Sequence, residues 1–195
     1  AQYNLGLIYY EGENIKRDMK KAIFYLTLAA NQKFYRAEML LSDLHLEGKY
    51  LEYDIDKAFR SYINISHVPY LSCHVYNNLG AILLYGFDKI DKDEDKAEYY
   101  LRKAIEDKKD KIALFNLSNI LLNKYDKSKS LENFEEAIKL LIVSAEQNFF
   151  PSQHLLCVIF IIKNETLTNC ILKKEPRNDN ELSQLKYYIY QCFYK

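Results

Sequence analysis

Apolar positions recur along this chain with a helical period. Ala1, Leu5, Ile8 and Tyr9 fall on one face of a first helix. Gly6 removes a side chain where a second helix can come close. Gly12 stands just past the last apolar turn, where a left-handed stop is expected. Asp18 is then placed to cap a second helix that carries Ala22, Tyr25, Leu26 and Ala29. The same alternation predicts helices at about residues 35–47 and 54–66, 72–85 and 93–107, and 111–124 and 131–147. A strongly apolar helix is expected at about 152–163 and a last one at about 180–194. The longest apolar run, Leu155 to Ile162, is far short of the ~20 residues that span a bilayer.

The two-helix unit repeats. Moving Ala1, Leu5, Gly12, Asp18, Lys21 and Ala22 forward by 36 reaches Ala37, Leu41, Gly48, Asp54, Lys57 and Ala58. A shift of 74 carries Leu5, Gly6 and Gly12 to Leu79, Gly80 and Gly86, and a shift of 75 carries Lys21, Ala22, Tyr25 and Ala29 to Lys96, Ala97, Tyr100 and Ala104. A fourth copy keeps Ala113, Leu117, Ser118, Ala137, Ser144 and Ala145, and a fifth keeps Ser152, Leu156 and Cys157. Four residues before each second-helix alanine stands a short acceptor, Asp18, Asp54, Asp93 or Asn133. His67 to Ser72 carries about two extra residues; Pro69 ends the preceding helix, and Ser72 is placed to cap the next. The fourth unit has a longer expected connection, Tyr125 to Ser130, and Lys124 in place of the closing glycine. A fixed period of this length means an array of helix pairs, each too small to bury its own apolar face. The units run at about 1–34, 35–69, 70–109, 110–149 and 150–195 of one helical-repeat domain.

This pattern resembles the Sel1-like repeat, a relative of the tetratricopeptide repeat. The shared residues are the Ala1, Leu5, Gly6, Tyr9 and Gly12 series, then Asp18, Lys21, Ala22, Tyr25, Ala29 and Ala30. The second unit departs at Ser42 and His45. The resemblance covers about residues 1–163 and implies an all-α fold, an α/α right-handed superhelix whose first helices line the concave side. It also implies work as an adaptor and not as an enzyme, with no cofactor. Secreted bacterial relatives with a cysteine pair in each unit are a poor match, because Cys73, Cys157, Cys170 and Cys192 do not recur with the repeat.

Composition narrows the rest. The chain has 27 basic and 27 acidic residues, so it offers no net attraction for phosphate backbones or anionic lipid. Nucleic-acid binding and membrane insertion are not expected. The cysteine spacing points to a reducing, cytoplasmic compartment. Three glycosylation-type triplets at Asn64, Asn116 and Asn164, together with a start inside a repeat and without methionine, keep a lumenal or secreted protein open as an alternative. That alternative includes an adaptor of ubiquitin-ligase quality control or a bacterial host-interaction factor. The charged stretch Asp88 to Lys111 lacks the ligand spacing of a calcium loop and reads as a solvated surface. Cys73 and His74 are adjacent, but no further metal ligands join them at helical spacing. No nucleophile motif and no phosphate-cradling glycine loop is present.

What remains is the side of each first helix that the packing residues leave open. By analogy with tetratricopeptide repeats it carries Tyr3, Asn4 and Tyr10, then Met39 and Asp43, then Asn77 and Asn78, then Phe115, Asn116, Asn119 and Asn123, then His154. Asn4, Asn78 and Asn116 occupy one repeat position, and an asparagine amide donates and accepts at once. Such a row can hold the backbone of an extended polypeptide, with Tyr3, Met39 and Phe115 taking its apolar side chains. The expected partner is a protein: an extended segment, or an assembly subunit. A rigid structural subunit docking through its convex face, or an enzyme accessory, is the remaining reading.

Overall fold

In the computed structural model of the 195-residue chain, the described residues are 1–13, 15–87, 89–107 and 110–162. They form helices α1 (Gln2–Glu11), α2 (Met19–Asn31), α3 (Tyr35–Glu47), α4 (Ile55–Ile65), α5 (Ser72–Tyr85), α6 (Glu94–Asp107), α7 (Lys111–Ser128), α8 (Leu131–Glu146) and α9 (Phe150–Ile162), with one turn of 3₁₀ helix at Pro69–Leu71. The fold is all-α, a solenoid of helix pairs. The expected helix at 180–194 lies outside the described residues.

Local chemistry sets most boundaries. The backbone N–H groups of Lys21, Lys57 and Lys96 donate to Oδ1 of Asp18, Asp54 and Asp93, at 3.1, 2.9 and 2.9 Å. Each second helix of the first three repeats therefore starts on an aspartate that satisfies an otherwise unpaired donor. The first and third helices end on Gly12 and Gly48, at φ values of 72° and 64° that side chains resist. The fourth repeat has Lys124 at that register, and its first helix runs on to Ser128 before Lys129 turns it at φ 56°. The connection expected from Tyr125 is thus helical, and Tyr125 is buried among the residues between α7 and α8. Two caps also differ from expectation. Asn133 lies inside α8, which begins at Leu131 after Ser130, and Ser72 is the first residue of α5 after Leu71. The 3₁₀ turn takes up the extra residues at that connection.

The chain divides into two compact units, residues 1–103 and 104–195. In the first, α1 packs on α2, α2 on α3, α3 on α4 and α4 on α5. Its helices meet at the predicted alanines: Ala22, Ala58 and Ala97 are fully buried. The missing side chain of Gly80 is where the third repeat closes, since a Cβ there would lie 2.5 Å from Leu101 Cγ. Gly6 meets Leu26 in the same way, at 2.9 Å. In the second unit α7 packs on α8 and α8 on α9. Its core gathers Tyr125, Phe134, Leu141, Ala145, Leu156 and Ile159. Buried hydroxyls cross it: Ser144 Oγ donates to the Lys111 carbonyl at 2.7 Å, and Ser152 Oγ donates to Ser144 Oγ at 2.7 Å.

Candidate functional site

The most organised polar group in the first unit is built from three helices. Tyr62 on α4 is fully buried. Its position is that of Leu26 in the first repeat and Leu101 in the third, so it puts a hydroxyl into a slot that is otherwise apolar. A buried hydroxyl without an acceptor is costly. Asp43 on α3 supplies one, and Tyr62 Oη donates to its Oδ1. Burial and the neighbouring Asp43 carboxylate hold the Tyr62 phenol far above its ordinary range, so it stays protonated and continues to donate. From α5, Asn78 Nδ2 donates to Tyr62 Oη at 3.0 Å and lies 3.5 Å from Asp43 Oδ1. His74, one turn earlier on α5, places Nε2 at 2.9 Å from Asp43 Oδ1 and 3.1 Å from Asn78 Nδ2. With the proton on Nε2, His74 donates to Asp43. The Asp43 side chain is 23% exposed and that of His74 is 50% exposed, so the cluster opens to solvent at one edge.

The expected open-face residues fall into distinct settings. Asp43 and Asn78 are brought together. Tyr3 leans on Phe34, with ring centroids 4.6 Å apart, and packs on the Leu26, Ala29 and Ala37 core. Tyr10 is half-buried beneath the Arg17 guanidinium, 5.4 Å from its ring centroid. Asn4 is exposed and Met39 half-buried. Asn77 is half-buried, and its Oδ1 is enclosed without a hydrogen-bond partner among the described residues. In the second unit, Asn119 is half-buried and Asn123 exposed, while exposed His154 stacks near Phe150 at 6.1 Å. Phe115 packs against the core and meets Phe149 edge-on at 5.7 Å.

The row of equivalent asparagines is corrected by these surroundings. Asn116 is only 5% exposed, because the α7 surface around it is apolar at Leu114, Leu117, Ile120 and Leu121, all buried. Asn78 is engaged by Tyr62 and Asp43. Of the three, Asn4 alone is exposed. Tyr62 and His74 are the functional candidates that residue-by-residue reasoning passed over. The signal was available as two departures from register: a tyrosine in a leucine slot, and an aspartate where the first repeat has Leu7 and the third Ala81.

One oxygen of the site's carboxylate is occupied by donors, its phenol is held protonated by burial, and among the described residues no three His, Cys, Asp or Glu side chains are grouped to hold a metal ion. What it offers is fixed hydrogen-bonding groups beside apolar surface. Among the described residues, no helix is long and apolar enough to cross a membrane.

The Sel1 repeat model matches residues 1–34, 36–60, 74–108 and 112–149. No curated protein matches the chain. Among solved structures, a Sel1 repeat protein from Oxalobacter formigenes is similar with a TM-score of 0.69 and 20% identity, over 98% of this chain and 72% of that one. A protective antigen present in uropathogenic Escherichia coli strains, which displays an SLR fold, is similar with a TM-score of 0.68 and 22% identity, over 97% of this chain. The chain spans 44% of that antigen's length. Both likenesses concern the fold.

Proposed function

The chain belongs to the Sel1 repeat family, whose repeats generally mediate protein–protein interaction, and from that premise we propose that it is a non-enzymatic adaptor that grips an extended polypeptide along the first helices. The observation that carries this reading is the cluster of Asp43, Tyr62, His74 and Asn78. It fixes hydrogen-bonding groups on adjacent first helices, α3 and α5, beside half-buried Met39. An extended segment needs such fixed partners for its backbone and apolar surface for its side chains.

A second reading has its own observation. The α4 face made by Asp56, Phe59, Arg60 and Ile63 forms a cleft with the loop residues Lys89 to Asp93, on the second-helix side. A rigid assembly subunit could dock there. The deciding experiment captures partners from cell extract with the full chain, identifies them by mass spectrometry and measures affinity for the leading one. Tyr10→Ala with Met39→Ala should weaken that affinity by about tenfold, roughly 1.4 kcal/mol. Lys20→Glu with Arg60→Glu, on the second helices, should leave it unchanged. The opposite pattern overturns the adaptor reading in favour of docking on the second-helix face.

A further inference from the structure

Charge is unevenly divided between the first and second helices of the first two repeats. The first helices α1, α3 and α5 carry four carboxylates, at Glu11, Glu38, Asp43 and Glu47. Against them stands one arginine, Arg36, whose guanidinium lies over the Tyr70 ring at 5.1 Å. The second helices α2 and α4 carry Lys20, Lys21, Lys57 and Arg60 against the single carboxylate of Asp56. The first helices of the first two repeats are thus net acidic, whereas on the second-helix side Lys21 pairs with Asp18 at 3.8 Å and Arg60 with Asp56 at 2.8 Å. Glu38 is partly engaged, since Asn64 Nδ2 donates to it at 3.0 Å. Glu11 and Glu47 are exposed.

Asp43 lies one turn before Glu47 on α3 and is oriented by its neighbours. Tyr62, His74 and Asn78 all approach Oδ1. Oδ2 has no hydrogen-bond partner among the described residues. A carboxylate held on one oxygen and open on the other is a preorganised acceptor, with little side-chain entropy left to lose on binding. The half-buried side chains of Leu40 and Met39 on the same helix offer apolar surface for the aliphatic stem of a long cationic side chain.

Resting on the adaptor reading, we propose that the segment held along α1, α3 and α5 is basic, and that one of its lysine or arginine side chains docks on Asp43 Oδ2. Charge complementarity selects this occupant over an acidic one, which would meet Glu11, Asp43 and Glu47 together.

The test selects random twelve-residue peptides on the full chain by phage display, and then measures one synthetic winner by fluorescence anisotropy. A lysine or arginine should be enriched at one peptide position. Its replacement by methionine should weaken binding at least tenfold, with the protein unaltered, so folding is not at issue. Asp43→Asn should weaken the parent peptide to the same extent and leave the methionine peptide unaffected. Raising sodium chloride from 50 to 300 mM should weaken the parent peptide and spare the methionine peptide. If selected peptides lose affinity on Tyr10→Ala with Met39→Ala but carry no basic preference and ignore Asp43→Asn, this inference falls and the adaptor reading stands. If binding is lost only on Lys20→Glu with Arg60→Glu, or if no peptide is enriched, both fall.

Discussion

Between the first and second repeats, Leu26, Ala29 and Ala37 pack together with Tyr3, Leu40 and Leu41. Between the second and third, the corresponding positions hold different chemistry. Tyr62 stands in the register of Leu26, Asp43 in that of Leu7, and Asn78 in that of Leu40. One joint is held by apolar area, which is non-directional and tolerates small shifts. The other is held by donors and an acceptor that meet in one arrangement only. Both joints keep a buried apolar centre, Ala29 with Ala37 in the first and Ile65 with Val75 in the second. The difference lies in the buried slot of Leu26 and Tyr62, where an apolar contact in one joint gives way to hydrogen bonds in the other.

The comparison breaks most sharply at the apolar joint. Leu26→Ala removes a fully buried side chain that also fills the space left by Gly6, and should cost about 2–5 kcal/mol in urea unfolding. A cost below 1 kcal/mol would mean that this joint does not hold the first two repeats together.

The repeat itself, the aspartate caps and the glycine stops were legible in the sequence because each has a short-range cause that acts at a fixed offset. The α7 boundary was missed because its stop is absent: without glycine at Lys124 nothing local ends the helix, and burial of Tyr125 favours continuing it. Asn116 was misplaced for a related reason. Its repeat position is exposed at Asn4, but the α7 surface around it is apolar and enclosed. The network around Asp43 was half legible. Asp43 and Asn78 were assigned to the open face, whereas Tyr62 lies on a second helix, outside the residues that analogy marks, and meets Asp43 only through packing.

The polar joint should respond to single and paired changes differently. Asp43→Leu leaves the Tyr62 hydroxyl buried without its acceptor and should cost about 1–3 kcal/mol. Adding Tyr62→Leu removes the stranded hydroxyl and should recover part of that loss, while Asn78 goes without both of these acceptors. Additive losses in the double variant would show that the two residues do not act as one unit.

The smallest effect separates the joints by pH. Tyr62→Phe deletes one hydrogen bond and should cost about 0.5–1.5 kcal/mol at pH 7. The phenol is held above its ordinary value of 10.0 in the folded chain. Its contribution is therefore fully present below pH 10 and is lost as pH rises through the folded value. The stability gap between the parent chain and Tyr62→Phe should stay level up to about pH 10 and narrow as pH rises above it in urea titrations. A gap that stays constant would mean that Tyr62 ionises as easily folded as unfolded. Leu26→Ala, which removes no titrating group, should show a gap that does not change over the same range.

The hydroxyl chain of the second unit has a kinetic consequence. Ser152 on α9 is tied to Ser144 on α8, and Ser144 to the carbonyl of Lys111 at the start of α7. Gln153 Nε2 adds a bond to the Ala145 carbonyl at 3.2 Å. Lifting α9 away would break the Ser152–Ser144 bond while also exposing Leu156 and Ile159 to water. Partial opening thus carries nearly the whole penalty of full detachment, and the helix gains little by peeling back one turn at a time. Its amides around Leu156 should exchange with solvent as a single group, with one shared opening rate, and not as a gradient that fades along the helix.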